Sequence, residues 1–228
     1  MATALLVCWG LLDTAWAKDP PAKPSAGTGP FAVDVYVAVT PSKDDPGQFT
    51  VYYTARKSVR VTQDQLGKDG VLKVEPKSFT GAKQLTKDIR GAFTGVNKTY
   101  EGSSAQFTVR NVYVIRADQE DLKPHLKSED EQVSLGISDG KSKLLSAFDA
   151  ATASNKGAFK VLMADLSDDA GERGRAQKGG NVSVVHIAPA MDTRNNGHIL
   201  SHELGHNLGL DDVSGQDPFT RVMAVGGA

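Results

Sequence analysis

The sequence contains very little cysteine, and this limits the chemistry open to the chain. The only cysteine among the 228 residues, Cys8, lies inside an apolar run at the N-terminus. A chain processed after that run would therefore contain no cysteine. Disulfide bonds and a thiol nucleophile are both excluded from such a chain.

The N-terminal apolar run lacks basic residues and is short. No Lys or Arg precedes it, so the positively charged start of an ordinary export signal is absent. The run covers residues 2–12, whereas a membrane-spanning helix needs about 20 residues. The run is followed by "AWA" at residues 15–17, a small-x-small pattern typical of a signal-peptidase site. We therefore predict that residues 1–17 are a signal peptide cleaved after Ala17, and that the protein is secreted without a membrane anchor.

The chain also lacks an excess of either charge. Its formal net charge is −1 at pH 7, and removal of residues 1–17 takes away one acidic residue, Asp13, which makes the two signs equal. This balance gives no reason to expect nucleic acid or an anionic membrane as a partner. The length of 228 residues suits one main domain with a sizeable core, and we expect a monomer by default.

The first folded segments follow a proline-rich stretch. Residues 18–30 contain four prolines with Gly and Ser, which predicts an extended linker. Alternating β-branched and aromatic residues at 31–40 and 48–61 predict two strands of a hairpin. We predict that this N-terminal β hairpin region, residues 31–80, is either a pro-segment or an extension of the following domain.

Strand and helix signals alternate after residue 80. Apolar residues at helical spacing predict helices at 83–97 and 141–153, and strand-like segments occupy 107–117, 158–166 and 181–189. This order favours an α/β (α+β) fold, with a sheet covered by helices. The glycine-rich residues 167–180 form either a solvated connection or a loop and edge strand beside a cleft, where an extended peptide can add.

The strongest chemical signal is the sequence H-E-x-x-H at residues 202–206. On a helix, His202 and His206 project from one face, because they are four residues apart, and both can bind the same metal ion. Glu203 points about 100° away, where it can act as a base on a metal-bound water without binding the metal. The motif predicts a catalytic zinc site, which needs three protein ligands and one open position.

The third ligand is predicted from the residues that follow the helix. Gly209 can adopt a left-handed conformation, end the helix and turn the chain back toward the metal. This turn brings Asp212 into range, and two histidines with one carboxylate are an established catalytic zinc set. Three further residues remain open as the third ligand: Asp211, Asp217 and His186.

His198 extends the two motif histidines into a row at four-residue spacing. At 1.5 Å per residue, His198 and His206 are separated by roughly 12 Å along the helix, too far for one zinc ion to bridge easily. We therefore expect His198 to lie on the helix surface or beside a ligand rather than to bind the metal.

Residues 202–212, together with the later Met223, resemble the metzincin zinc endopeptidases that have an HExxHxxGxxD motif, and are similar to the snapalysin-type branch. The resemblance implies a mixed twisted sheet packed on an active-site helix, with a Met-turn beneath the metal. It also implies the role of each site residue: His202, His206 and Asp212 as ligands of one catalytic Zn²⁺, Glu203 as general base, and Met223 as the structural methionine of the Met-turn.

The resemblance implies a zinc metallopeptidase catalytic domain at residues 81–228. Only five residues follow Met223, where the family continues into a further helix, so this domain is either C-terminally truncated or minimal. The function implied is a secreted zinc-dependent endopeptidase that hydrolyses a protein or peptide substrate through a zinc-activated water. The alternative is a non-catalytic, zinc-stabilised binding or structural protein with a metzincin-like fold.

Overall fold

A computed structural model describes residues 30–129, 132–137, 143–167, 172–192 and 198–212 of the protein. The predicted signal peptide at residues 1–17 and residues 18–29 of the predicted linker lie outside the described residues, as do Asp217 and Met223. Among the helices of the described part, none has the length and apolar character needed to cross a membrane.

The described elements alternate between strands and short helices. The strands are β1 (Phe31–Pro41), β2 (Gln48–Thr54), β3 (Lys57–Thr62), β4 (Val71–Lys73), β5 (Phe107–Arg116), β6 (Leu126–Glu129), β7 (Gln132–Gly136), β8 (Phe159–Ala164), β9 (Leu166–Ser167), β10 (Gly174–Ala176) and β11 (Val182–His186). The helices are α1 (Gln63–Leu66), α2 (Ala82–Thr99), α3 (Lys143–Ala151), α4 (Ile187–Ala190) and α5 (His198–Asn207), with a 3₁₀ turn at Lys123–His125.

Four parallel strands form the middle of the main sheet, in the order β5, β1, β8, β11. An antiparallel strand lies on each side of them, β4 next to β5 and β10 next to β11. The antiparallel pair β2 and β3 continues from the last residues of β1, and β6, β7 and β9 form a separate small sheet. The fold is therefore mixed α/β with an open mixed sheet and few helices, which is compatible with the predicted α+β class.

The prediction of a two-stranded hairpin at residues 31–61 is correct only for the end of β1, where Thr40 and Pro41 pair antiparallel with Thr50 and Phe49 of β2. Residues 48–61 form two strands, β2 and β3, and β1 lies between β5 and β8, parallel to both. The physical reason is that β1 is buried on both faces, and strands buried in this way belong to the middle of parallel sheets. Residues 31–41 thus lie between β5 and β8, and whether residues 31–80 are a pro-segment or an extension stays a prediction. The domain boundary at residue 80 stays a prediction.

The other predicted elements are present with shifted ends. The helix predicted at 83–97 is α2, which begins one residue earlier and ends two residues later than predicted. Of the helix predicted at 141–153, residues 143–151 form α3. The segment 181–189 was expected to be one strand, but β11 ends at His186 and α4 begins at once. Pro189 has no N–H to donate to a sheet, which favours leaving the sheet before that residue.

The two faces of the main sheet are covered differently. One face packs against α2, α4 and α5, and its core contains alternate residues of β1 such as Val35 and Val37. The other face packs against α3 and the small sheet, and its core contains Tyr36, Phe148 and Leu135. Helix α5, with the H-E-x-x-H motif, thus lies on the α2 face, near the edge formed by β10 and β11.

Candidate metal centre

Helix α5 is fixed by apolar contacts on one side and presents its histidines on another. Leu200 and Leu204, four residues apart, are fully buried in the core on the α2 face. The side chains of His202 and His206 are 19% and 18% exposed, respectively. Their ring centroids are 4.7 Å apart, with an interplanar angle of 85°. The helix therefore holds both imidazoles together at the protein surface.

The end of α5 turns the chain back over the helix, as expected from Gly209. The N–H of Leu210 donates to the carbonyl of Gly205 at 3.0 Å, and the N–H of Gly209 donates to the carbonyl of His206 at 2.8 Å. This pair of bonds is the Schellman motif, which needs a left-handed residue at the position of Gly209, where φ is 92°. The reversal brings Asp212 beside the histidines.

Three ligand atoms converge at this point. The Oδ1 atom of Asp212 lies 3.3 Å from Nε2 of His202 and 3.4 Å from Nε2 of His206. All three ligand atoms lie within 4.8 Å of one another. Tetrahedral zinc with bonds of about 2.0–2.1 Å separates neighbouring ligand atoms by about 3.3–3.4 Å. The two separations measured to the carboxylate therefore fit a zinc ion, and the donor set is suitable for one.

A contact at Nδ1 fixes the orientation of the His206 ring. Nδ1 of His206 lies 3.0 Å from the carbonyl oxygen of Leu210. Because a carbonyl oxygen can only accept a hydrogen bond, Nδ1 must carry the proton that is donated. This contact selects the tautomer in which Nε2 carries a lone pair, the state that metal binding requires. The same chain reversal thus supplies Asp212 and orients His206.

Glu203 is a buried carboxylate next to the three ligands. Glu203 is 5% exposed, and its Oε2 atom has no hydrogen-bond partner among the described residues. Burial, and then the charges of Glu172 and Asp212, raise the pKa of Glu203 to about 8, although Arg175 acts in the opposite direction. Without a cation these surroundings therefore favour the protonated carboxyl, and a positive charge beside it would favour the carboxylate that a general base requires.

The cluster opens into a cleft of about 740 Å³ between the edge strand β10 and helix α5. The residues 167–180 thus include an edge strand beside a cleft, the second of the two predicted arrangements. The side of the cleft near β10 is lined by Glu172, Gly174, Arg175, Ala176 and Lys178, and the other side by His202, Glu203, His206, Asp211 and Asp212.

Buried polar contacts connect helix α5 to the β10–β11 connection. Asn207 is 2% exposed, and its Nδ2 donates to the carbonyls of Gln177 at 3.0 Å and Val182 at 2.9 Å. The N–H of Gly179 donates to the carbonyl of His206 at 2.8 Å. These bonds fix the distance between the helix that holds the histidines and the strand that lines the cleft.

A second contact joins α5 to the residue after α2. The hydroxyl of Tyr100 donates to the carbonyl of Ser201 at 2.8 Å, and Tyr100 is 7% exposed. Burial raises the pKa of the Tyr100 hydroxyl well above its ordinary value. Neither Tyr100 nor Asn207 was identified from the sequence, because their partners are distant in the chain and no local pattern marks them.

His186, which the sequence left open as the third ligand, is engaged elsewhere. It is the last residue of β11, and its Nδ1 accepts a hydrogen bond from the N–H of Leu166 at 3.1 Å. Oδ1 of Asp165 lies 3.8 Å from the same nitrogen. The structure therefore places His186 at the end of the parallel strands and not in the cluster of ligand atoms.

Asp211 and His198 also lie outside the cluster of ligand atoms. Asp211 forms an ion pair with Lys178 across the cleft, and Asp217 lies outside the described residues. His198 is the first residue of α5 and is not part of the cluster. Within the described ranges, only His202, His206 and Asp212 bring three potential ligand atoms together.

Comparison with known proteins does not assign the chain to a family, because no family model and no curated protein matches it. The assignment of the centre therefore depends on its residues and their geometry.

Proposed function

We propose that the chain is a zinc-dependent endopeptidase with a metzincin-like catalytic domain. The observation that carries the proposal is the convergence of Asp212 Oδ1 with the Nε2 atoms of His202 and His206 at 3.3 and 3.4 Å. Two histidines and one carboxylate leave a fourth tetrahedral position open, as a catalytic zinc site requires. His202, His206 and Asp212 would hold the one zinc ion of the enzyme.

The proposed chemistry divides between the metal and one side chain. When bound, the zinc ion would polarise a water molecule and the carbonyl of the scissile peptide bond. Glu203 would accept the proton from the attacking water at its carboxylate and return it to the departing amine. Its burial beside the ligands, and its place in the lining of the same cleft, support this role.

The proposed substrate is an extended segment of a protein or peptide. Strand β10 lies at the edge of the main sheet and lines the cleft, so its outer side can form backbone hydrogen bonds with an added strand. A peptide bound in this way would cross the cleft beside Glu203. We further propose that the protein acts outside the cell, after removal of residues 1–17.

Met223 belongs to the proposal only through the sequence motif. It lies outside the described residues, so its place beneath the metal in a Met-turn stays a prediction. The same is true of the cleavage after Ala17, which N-terminal sequencing of the protein from culture medium would test.

The experiment that tests the function is cleavage of an unfolded protein substrate by the zinc-loaded protein, with and without a zinc chelator. We expect cleavage that the chelator abolishes and that added zinc restores. The matched control is Glu203→Ala, which should keep its zinc and lose cleavage, because the ligands remain and only the base is removed. Cleavage by this variant at the rate of the parent would contradict the proposed role of Glu203.

A non-catalytic zinc protein would behave differently in the same assays. A zinc-stabilised binding or structural protein would unfold at a lower temperature in the chelator, yet would cleave nothing when loaded with zinc. That pair of results would replace the endopeptidase proposal with a binding or structural role.

A further inference from the structure

The strand beside the catalytic helix has a glycine where a side chain would meet Glu203. A Cβ atom placed on Gly174 would lie 2.7 Å from Oε1, 2.8 Å from Cγ and 3.0 Å from Cδ of Glu203. Carbon atoms in proteins pack at about 3.5–4.0 Å, so such a side chain and the present position of Glu203 exclude each other. Gly174 and Glu203 therefore fit together only because residue 174 has no side chain.

The backbone of Gly174 gives no other reason for a glycine. Positive φ angles occur at other described glycines, such as Gly179 and Gly209, but Gly174 is not one of them. An L-amino acid could adopt its conformation without strain. Its role in β10 is also ordinary, because it pairs in register with Val185 of β11. Glycine is therefore required at position 174 because Glu203 leaves no space for a side chain there.

Glu203 has little room in which to avoid an added methyl group. It is 5% exposed, and the close contacts include its Cγ atom, so a rotation of the carboxylate alone would not remove them. Its helix is held on both sides of the motif by the Tyr100 and Asn207 hydrogen bonds. An added methyl group would therefore move the Glu203 side chain away from β10, within the cleft.

We propose that Gly174 is a positioning residue for Glu203: the missing side chain at the edge strand sets where the carboxylate lies relative to His202, His206 and Asp212. This inference rests on the proposed role of Glu203 as general base. It adds a second role for β10: the strand that would bind the peptide also fixes the position of Glu203.

The test is Gly174→Ala in the full chain, measured in two ways. In cleavage assays on the zinc-loaded protein, kcat should fall by roughly 100-fold, as a misplaced group can cause, while KM and bound zinc stay near the parent values. A role in peptide binding alone would raise KM instead. Wild-type kcat, or a loss confined to KM, would overturn the inference.

The second measurement needs no cleavage. In the metal-free protein, Gly174→Ala should lower the melting temperature, but in the Glu203→Ala background it should not, because the atoms that the methyl group meets are gone. Equal shifts in both backgrounds would overturn the inference. If the parent protein cleaved nothing and this coupling were still found, the proposed function would fail while the contact itself would stand.

A matched glycine controls for the substitution itself. Gly91 lies in α2, and a Cβ atom added there meets nothing within 4 Å. Gly91→Ala should leave kcat unchanged and should not lower the melting temperature, since alanine is favoured over glycine inside a helix. A loss of activity in Gly91→Ala equal to that of Gly174→Ala would show a general effect and would overturn the inference.

Discussion

Two buried carboxylates of this protein have opposite surroundings. Asp34, in the middle of β1, is fully buried and accepts hydrogen bonds from Nε of Arg110 at 3.0 Å, from a terminal nitrogen of Arg110 at 2.5 Å and from Asn111 at 2.9 Å. Glu203 is almost as buried, but its Oε2 atom has no partner in the described part of the chain, and burial, followed by the charges of Glu172 and Asp212, raises its pKa.

The comparison separates a cluster whose polar groups satisfy one another from one to which we assign a metal ion. Around Asp34, donors surround one acceptor and compensate for its burial, as expected for a charge that stabilises the fold. Around Glu203, the neighbouring cluster is made of atoms that could all serve as metal ligands: two imidazole nitrogens and a carboxylate oxygen. Such a set is suited to hold a cation. Four variants test this difference, and they follow from the largest expected effect to the smallest.

Glu203→Gln should have the largest effect, and only on catalysis. The amide keeps the shape of the side chain but cannot accept the proton, so kcat should fall by about 10²–10⁴-fold. Bound zinc, measured by metal analysis, should not change. A kcat within threefold of the parent would remove Glu203 from the mechanism and with it the functional side of the comparison.

Arg110→Met should affect stability and leave the metal centre intact. It removes the two-point contact to Asp34 and leaves a fully buried carboxylate with Asn111 as its remaining donor. Breaking a buried ion pair lowers the free energy of unfolding by about 3–5 kcal/mol. Because the Arg110 side chain is itself 40% exposed, we expect a loss of about 3 kcal/mol, measured by denaturant unfolding. Adding Asp34→Asn should recover part of this loss, and zinc binding should stay at the level of the parent. A fall in zinc binding would mean that the two clusters are not independent.

Asp212→Ala should act mainly on zinc affinity. It removes a proposed ligand. Because loss of a residue that only hydrogen-bonds to a ligand already lowers metal affinity about 10–100-fold, the dissociation constant for zinc should rise by roughly 100-fold or more. Asp211→Ala is the matched control, because its side chain pairs with Lys178 and not with the histidines. If the two variants lost zinc equally, the choice of Asp212 over Asp211 would be wrong.

Tyr100→Phe should have the smallest effect. It removes one buried hydrogen bond to the carbonyl of Ser201, at a cost of about 1 kcal/mol in the free energy of unfolding. Because this bond only supports α5, zinc stoichiometry should not change. A loss of more than about 3 kcal/mol would show that the contact after α2 contributes more to the position of the helix than one hydrogen bond.

The sequence predicted those parts of the site that local rules determine. The face shared by His202 and His206, and the reversal at Gly209, depend on residues close together in the chain, and both are present in the structure. The Asp34 cluster and the fit of Gly174 against Glu203 were not predicted. They depend on which strands become neighbours, and a strand's own periodicity does not contain that information.

The same limit explains the errors in the fold. The apolar pattern of residues 31–40 identified a strand, but not that β1 lies between β5 and β8. A strand buried on both faces shows a nearly continuous apolar run, and "FAVDVYVAVT" has one that is interrupted only by Asp34 and ends at Thr40. That run favoured a central strand over one arm of a hairpin, and the turn-like residues that follow it obscured the signal.

The most direct test of the metal centre is the zinc stoichiometry of the protein after equilibration with zinc and removal of the excess, compared with that of His206→Ala. We expect one zinc ion per chain in the parent and none in the variant, because the variant loses a proposed ligand whose orientation the Leu210 carbonyl fixes. A parent that binds no zinc, or a variant that keeps one equivalent, would contradict the claim that His202, His206 and Asp212 form a metal centre.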